Sequence, residues 1–340
     1  TNLVSALIML MGMIQGYGIP TIGNNPNTNA PSGNRGWKTQ GEWGSCSGTV
    51  VADRYFLAAK HVGGGVGDIF RIDGTNYTTI SKTNHPTLDL TLWKVNKKFP
   101  ANVKAVMCAS TDLVGKEATI FGRGPRRGTP VVRQSNPLMI ENFTTGACDE
   151  FSVTGGSLGT RFIVQCSTNL SNWSSLQATN VFDGSGSNYI VLPSPSCSQM
   201  YYRTLIVDST IGYELGEYTG QLTWGTNTIS GQYNYSDGSF SWFTTFDRNA
   251  GSDECSLAPG DSSGGMFVFD GGQWKLAGVN WNSIHGLFYL DGRYFDGNMM
   301  DLNGVDWYGW LYPAAQQETP TMSNHTPIPV DWVNAVTGGH

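Results

Sequence analysis

APGDSSGGMF, residues 258–267, is the stretch of this chain that decides its fold. Proline, aspartate and three glycines make a turn, which places the adjacent hydroxyls of Ser262 and Ser263 just before an apolar run at 266–269. A serine hydroxyl is a poor nucleophile at neutral pH unless a base activates it and a third group orients that base. The stretch therefore predicts a nucleophile loop, provided that those two partners exist elsewhere in the chain.

The composition favours an all-β protein. The 340 residues include 44 glycines and 14% charged residues. Runs rich in Val, Thr and Tyr recur about every 8 to 12 residues, a spacing typical of sandwiches and barrels. The net charge is −6, and basic residues cluster only at Arg123, Arg126 and Arg127. A nucleic-acid partner therefore has no electrostatic support.

Residues 3–14 (LVSALIMLMGMI) form a mostly apolar run near the N-terminus. The run is too short to span a bilayer and has the length of the apolar part of a secretion signal. We therefore expect 1–18 to be a signal segment and the protein to be secreted, extracellular or periplasmic, with no membrane partner in its mature form. The alternative is a buried N-terminal strand or helix.

The six cysteines show no CxxC spacing, which argues against zinc or redox use, and no cofactor or metal is expected. They are Cys46, Cys108, Cys148, Cys166, Cys197 and Cys255. An even number in an exported chain predicts up to three disulfides, whose pairing cannot be deduced from the sequence.

Two further segments supply candidates for the missing partners. SGTVVA at 47–52 and YFLAA at 55–59 have strand patterning, and the second runs into His61 and a glycine run. The segment 89–95 (DLTLWKV) places Asp89 at the head of another alternating strand, 28 positions after His61 (89 − 61). Taken alone, His61 could be a structural histidine and Asp89 a solvated turn residue.

Together, these three segments resemble those around the catalytic His, Asp and Ser of trypsin-fold (chymotrypsin-like) serine peptidases. The chain order His61, Asp89, Ser262 is that of this family and not of subtilisins or α/β-hydrolases. The family's Gly-Asp-Ser-Gly-Gly-Pro matches 260–265 without an insertion, so the nucleophile falls on Ser262. Ser263 then stands where the family keeps a glycine.

The resemblance implies roles for each residue. His61 is the general base, Asp89 orients its ring, and the backbone N–H groups of Gly260 and Ser262 form the oxyanion hole. In the family, the Asp at 261 often pairs with a freed N-terminus, but no activation site is evident here. Val62 replaces a cysteine common in animal members, which indicates a bacterial type.

The resemblance also implies a substrate pocket formed by Ser256, Asn280, Trp281 and Asn282. Ser256 maps to the base of the primary pocket, and its neutral side chain argues against a Lys or Arg preference. Asn282 replaces a glycine on the wall and Asn280 replaces the serine of the cleft. Small or medium apolar side chains are expected there. The strand at 274–282 resembles the one that pairs with bound peptide.

Residues 144–208 fit poorly as barrel strands. STNLSNW at 167–173 and MYYR at 200–203 resemble a small β module of secreted bacterial multidomain proteins, with Cys166 and Cys197 as a potential bridge. The alternative is an elaborated barrel loop. The segment 114–128 predicts a strand at 118–121 followed by a Gly/Arg-rich loop.

The expected fold is all-β, with two six-stranded Greek-key β-barrels, a small β-rich insertion in the second barrel and a short C-terminal helix at 329–336. Residues 19–143 would form the first barrel and the start of the second, 144–208 the inserted module, and 209–340 the rest of the second barrel. The leading hypothesis is a secreted serine endopeptidase that acts on protein or peptide substrates. The alternatives are a catalytically inactive trypsin-fold protein used for binding or assembly, and a structural β-rich surface protein. The oligomeric state is not predicted.

Overall fold

The computed structural model describes residues 19–23, 27–132, 138–144, 148–156, 160–176, 180–182, 187–193, 200–208, 210–218, 220–247, 250–283, 286–290, 293–300, 306–309 and 322–339. The predicted signal segment, 1–18, lies outside these ranges. Among the described helices, none has the length and apolar character needed to cross a bilayer.

The described elements are mostly strands. In chain order the first half contains β1 Gln40–Trp43, β2 Cys46–Ala52, β3 Tyr55–Ala59, β4 Ile69–Ile72, β5 Thr75–Asn84, β6 Leu90–Val95, β7 Glu117–Gly122, β8 Pro125–Val132, β9 Met139–Thr144, β10 Cys148–Thr154, β11 Arg161–Ser167 and β12 Ser174–Ser175. The second half contains β13 Asn180–Val181, β14 Ser187–Pro193, β15 Tyr201–Asp208, β16 Thr210–Tyr218, β17 Thr223–Asn234, β18 Phe240–Thr245, β19 Gly265–Asp270, β20 Gln273–Ser283, β21 Gly286–Leu290, β22 Arg293–Met300, β23 Asp306–Gly309 and β24 Met322–Pro327. The helices are the 3-10 turns Trp37–Thr39, Lys60–Val62 and Ala101–Val103 and the α-helix α1, Val330–Thr337.

Two closed antiparallel barrels of six strands each contain half of the described strands. The first has the order β1-β2-β3-β6-β5-β4 and the second β7-β17-β18-β24-β20-β19. Counted along the chain within each barrel, both orders are 1-2-3-6-5-4. Closure leaves neither barrel with an unpaired edge strand. With the short C-terminal helix α1, this is the trypsin-like two-barrel fold, as the sequence predicts.

Several strands of the first barrel are buried on both faces. Successive side chains of a strand point to opposite sides, so neighbouring residues enter different apolar clusters. Val50 and Phe56 pack into the barrel, where the Phe56 ring stacks on Phe70 at a centroid distance of 4.0 Å. Their neighbours Val51 and Leu57 point the other way, into a second apolar cluster. The lack of polar/apolar alternation at 47–52 and 55–59 thus reflects burial on both sides.

The second apolar cluster joins the two barrels. It combines Leu57 and Leu92 of the first barrel with Phe121 and Phe267 of the second and Val333 of helix α1. The Phe121 and Phe267 rings meet edge to face, with centroids 5.7 Å apart. Because the cluster draws side chains from both barrels, burial of its apolar surface holds the barrels together and helps to set the relative position of the loops above it.

A second compact unit comprises residues 130–213 and 286–319. It contains a three-stranded sheet, β14-β10-β9, and a four-stranded sheet in which β11 pairs with β12, β13 and β15. Their shared core is apolar and includes the fully buried Phe151, Phe162 and Phe182. The unit thus has its own hydrophobic core.

The boundaries of this unit differ from the predicted module at 144–208. Strand β9, at 139–144, pairs with β10 within the module's three-stranded sheet. The strands β21, β22 and β23 lie in a five-stranded sheet of order β23-β21-β22-β16-β8 and are not barrel strands.

The loop predicted after 121 is instead largely strand β8. A Cβ added at Gly128 in this strand would lie 2.6 Å from the Leu215 carbonyl oxygen in β16. Glycine at 128 is therefore required for the backbones of β8 and β16 to approach this closely. The glycine that contributes to the loop prediction is thus part of a closely paired strand.

The Ser-Thr-Asn-Leu-x-x-Trp motif forms a side-chain-supported turn. Asn169 Oδ1 accepts hydrogen bonds from the backbone N–H groups of Ser171 at 3.0 Å and Asn172 at 2.9 Å. The turn presents Trp173, whose ring lies 4.1 Å from the Arg203 guanidinium carbon. The aromatic of the turn and the arginine of the closing strand are thus direct partners.

Candidate active site

The nucleophile loop connects β18 to β19 in the second barrel. The Asp261 N–H donates to the Ala258 carbonyl at 3.0 Å and the Gly264 N–H to the Asp261 carbonyl at 3.2 Å, which makes two consecutive turns. Gly260 has a φ of +94°, a conformation that residues with a Cβ rarely adopt. These turns present the Ser262 side chain at the junction of the barrels.

His61 reaches the same point from the first barrel. Strand β3 ends at Ala59, and a single 3-10 turn at Lys60–Val62 carries the histidine. The Lys60 N–H donates to the Asp89 carbonyl at 3.1 Å, which ties this turn to the loop before β6. The His61 ring is 2.8 Å from Ser262 through Nε2 and Oγ.

Asp89 contacts His61 twice. Its Oδ1 accepts the His61 backbone N–H at 3.0 Å, and its Oδ2 lies in close contact with the ring Nδ1. A proton held on Nδ1 by the carboxylate leaves the Nε2 lone pair for the serine hydroxyl. The structure thus brings His61, Asp89 and Ser262 into one hydrogen-bonded chain, in which the His61 side chain remains 42% exposed.

His85 holds the loop that carries Asp89. Its Nδ1 accepts hydrogen bonds from the backbone N–H groups of Leu88 at 2.9 Å and Thr87 at 3.3 Å, and its ring meets Trp332 of helix α1 edge to face. Burial, followed by the charge of Lys60, lowers the pKa of His85 below its usual value, which keeps Nδ1 an acceptor. The sequence shows His85 without indicating this supporting role.

The predicted oxyanion donors are the backbone N–H groups of Gly260 and Ser262. In the described part of the chain, neither group donates a hydrogen bond within the protein. Both residues are half-buried. The turn therefore leaves two N–H groups beside the Ser262 hydroxyl for an external acceptor.

Asp261 lies under this loop and is fully buried. Its carboxylate accepts the Gly124 N–H at 2.6 Å and the Ala258 N–H at 2.9 Å. Burial raises the pKa of Asp261 to about 8, although hydrogen bonds from Gly124, Ala258 and Arg123 favour the ionised form. A Cβ at Gly122 would lie 2.1 Å from Asp261 Oδ1, so that glycine makes room for the carboxylate.

The four predicted pocket residues have different surroundings. Trp281 lines a pocket of ≈ 320 Å³ together with Asp89 and the Tyr235–Phe240 region of the β17–β18 hairpin. Ser256 is buried, with its hydroxyl 3.2 Å from Ser323 Oγ. Asn282 is exposed and accepts a hydrogen bond from Asn324 at 2.8 Å.

The side chain of Asn280, a predicted pocket residue, makes its hydrogen bonds inside the protein. The residue is fully buried, and its amide donates to the Phe121 carbonyl at 2.7 Å and the Asp261 carbonyl at 2.9 Å. Its amide oxygen lies 3.0 Å from Nδ1 of the buried His325. Asparagine is longer than the serine found at this position in the resembled family, and its amide reaches the Asp261 carbonyl of the nucleophile loop.

His325 is a supporting residue that the sequence pattern misses. It is fully buried in β24, and burial lowers its pKa to about 3. Its neutral ring donates from Nδ1 to Asn280, which fixes the orientation of the Asn280 amide. No local pattern around His325 marks it, because its partner is a neighbour across two paired strands.

The disulfide prediction is wrong for the thiols that the structure describes. Cys46, Cys108, Cys166 and Cys255 are free, including the proposed partner of Cys197. Cys197 itself and the Cys148 side chain lie outside the described residues. In the described ranges, no three His, Cys, Asp or Glu side chains are grouped so as to hold a metal ion.

Comparisons with known proteins add little to this geometry. No protein-family model and no curated protein matches the chain. Among solved structures it is similar to an inactive mutant of a chimeric murine norovirus NS6 protease, at 13% identity and a TM-score of 0.29. The match covers 77% of this chain and 91% of the viral one. The fold is identified by the two barrels and their common strand order.

Proposed function

We propose that this chain is a serine endopeptidase that cleaves peptide bonds through Ser262, His61 and Asp89. The observation that carries the proposal is the 2.8 Å contact between Ser262 Oγ and His61 Nε2, with Asp89 on the opposite ring nitrogen. A serine, an imidazole and a carboxylate in this arrangement are the elements of acyl transfer.

In the proposed reaction, Ser262 Oγ attacks the scissile carbonyl carbon while His61 Nε2 takes the hydroxyl proton. The N–H groups of Gly260 and Ser262 stabilise the oxyanion of the tetrahedral intermediate. His61 then gives its proton to the leaving amine, and the acyl group remains on Ser262. Water, deprotonated by His61, hydrolyses this ester and regenerates the enzyme.

The proposed substrate is a peptide with apolar side chains. The pocket next to Asp89 has an apolar part formed by Trp281, Leu88, Tyr235 and Phe240, beside polar residues that include Asp237, Ser239 and Ser241, and the Tyr235 and Trp281 rings lie 5.7 Å apart. Apolar walls favour apolar side chains through burial of their surface. A library of peptides that differ at one position at a time tests this preference. Preferred cleavage after Lys or Arg would contradict it.

Labelling with a fluorophosphonate probe tests the proposed nucleophile. We expect the wild-type chain to be labelled and Ser262→Ala not to be labelled, since the probe reacts with activated serines. His61→Gln should lose most labelling, and Ser263→Ala should retain label on Ser262. Equal labelling of the wild type and Ser262→Ala would overturn the proposal and favour a catalytically inactive binding protein.

We also propose that the protein is exported and of a bacterial secreted type. The proposal rests on the apolar run at 3–14 and on Val62, and the free thiols of the described residues give it no support. The N-terminal sequence of the purified mature protein tests it. Retention of 3–14 in the mature chain would contradict export by signal cleavage.

A further inference from the structure

Ser263, which follows the proposed nucleophile, has an unusual backbone conformation. Its φ is +67°, in the left-handed region where glycine is favoured and residues with a Cβ are uncommon. The residue is also fully buried. A glycine would adopt this conformation without strain, so the serine side chain needs a compensating interaction.

That interaction crosses from one barrel to the other. Ser263 Oγ accepts a hydrogen bond of 2.7 Å from the backbone N–H of Ala59, which is itself buried. Ala59 ends strand β3 and lies two residues before His61. A glycine at 263 would remove the acceptor and leave a buried N–H group without it, a state that folded proteins avoid.

Other backbone bonds fix the same loop at neighbouring points. The Ser263 N–H donates to the Asn280 carbonyl at 3.0 Å within the second barrel, and the Ser47 N–H reaches the Ser262 carbonyl at 3.5 Å from the first. The Ser263 hydroxyl adds a side-chain bond directly between the loop of Ser262 and the strand that ends at His61. The Ala59–Ser263 bond, at 2.7 Å, is shorter than the 3.5 Å contact between Ser47 and Ser262, and Ala59 is only two residues from His61 along the chain.

We propose that Ser263 is a positioning residue: through the Ala59 N–H, its hydroxyl sets the distance between Ser262 Oγ and His61 Nε2. The inference rests on the proposed function. Ser262 and His61 belong to different barrels, so their 2.8 Å contact depends on how the barrels are held together at this point. A displacement of about 1 Å in a reacting group can cost about 100-fold in rate.

Three substitutions separate the hydroxyl from the backbone conformation. Ser263→Gly relieves the positive φ and removes the hydroxyl, Ser263→Ala keeps the Cβ and removes the hydroxyl, and Ser263→Thr keeps the hydroxyl. We expect kcat to fall about 10- to 100-fold in the Gly and Ala variants with KM little changed. Thr should retain more activity than either, although its β-branched side chain fits a positive φ least well.

Gln40→Met provides the matched control. Gln40 Oε1 in β1 accepts the Gly265 N–H at 3.0 Å, another buried cross-barrel bond close to the same loop. We expect this variant to lose thermal stability while its kcat stays within about threefold of wild type. An equal loss of kcat in Gln40→Met and Ser263→Ala would show general loosening and overturn the proposal.

The outcomes distinguish this inference from the proposed function. If the wild type does not react with the fluorophosphonate probe, both fail. If the wild type reacts and Ser263→Gly matches its kcat and labelling rate, only the positioning role is overturned. Should Ser263→Thr not fold, the Gly variant still decides, because glycine accepts the local backbone conformation.

Discussion

The two barrels share one strand order but differ in what their connections carry. In the first barrel β1 and β2 are joined by a two-residue turn, Gly44 and Ser45. In the second barrel the corresponding connection, between β7 and β17, contains residues 123–222 and most of the separate compact unit. The connection between the fifth and sixth strands is a short loop at 85–89 in the first barrel and residues 284–321 in the second.

The difference shows where a barrel of this order tolerates insertions. His61 and Ser262 lie on the same connection of their barrels, between the third and fourth strands, and the described residues of both connections contain no inserted strand. Asp89 lies on the fifth connection of the first barrel, and the second barrel uses its fifth connection for β21, β22 and β23 instead. Strand order determines which loops converge, and the residues on those loops determine the chemistry that they can support.

The largest effect is expected at Asp89, on the fifth connection of the first barrel. Asp89→Asn should lower kcat/KM by about 10⁴-fold, because an amide at this position favours the wrong tautomer of His61. Steady-state hydrolysis of the best peptide measures this loss. Asp53→Asn is the control, since Asp53 is a carboxylate of the same barrel that pairs with Lys98 and Lys104 away from His61 and Ser262. The kcat/KM of Asp53→Asn should stay within about twofold of wild type. Equal losses of kcat/KM in Asp53→Asn and Asp89→Asn would contradict the role of Asp89.

The cores of the barrels give the next effect. Phe56→Ala removes a fully buried ring stacked on Phe70 and should lower the free energy of unfolding by about 3–5 kcal/mol. Urea denaturation followed by tryptophan fluorescence measures the loss. Ile69→Ala, at an exposed position of β4, should change it by less than about 0.5 kcal/mol.

The same experiment tests whether the barrels unfold together. Because Leu57 and Phe267 share one apolar cluster, we expect a single transition for both barrels. A separate early transition confined to the first barrel would contradict this and would show that the barrels are independent units.

Two aspartates at the site lie in opposite environments, and the buried one, Asp261, makes stability depend on pH. Asp89 is partly exposed, whereas Asp261 is fully buried with its pKa raised to about 8. The folded state therefore holds a proton on Asp261 that the unfolded state has lost between about pH 4 and pH 8. The stabilisation is complete below about pH 4 and is lost as the pH rises through about 8.

Asp261→Asn, which cannot titrate, should accordingly show a smaller fall in stability between about pH 5 and pH 9 than the wild type. Urea midpoints across this range measure the two slopes. Asp53→Asn is again the control, because the pKa of Asp53 is lowered to about 2 by Lys104 and Lys98 and lies below the range. Parallel curves for the wild type and Asp261→Asn would contradict the raised pKa.

Much of the fold was predictable because its signals are local. The β-branched and apolar residues at 47–52 and 55–59 mark strands β2 and β3, and three short segments place His61, Asp89 and Ser262 at or near strand ends. The remaining features depend on partners distant in the chain. Ala59 and Ser263 are separated by 204 residues, so no local pattern predicts their hydrogen bond. The same holds for the Asn280 side chain, which turns toward Asp261.

The smallest effect is expected in the compact unit that only the second barrel carries. Trp173→Ala removes the stacking of Arg203 and should cost about 0.5–1 kcal/mol, as for other exposed cation–π pairs. Trp173→Phe keeps a ring face but loses the indole N–H bond to the Leu170 carbonyl. Its stability should therefore lie between those of the wild type and Trp173→Ala. Hydrogen exchange at β11 and β15 measures the loss.

Because this unit has its own core around Phe151 and Phe162, kcat/KM on a short peptide should stay within about twofold of wild type. A larger fall in Trp173→Ala would mean that the unit takes part in the reaction of the barrels.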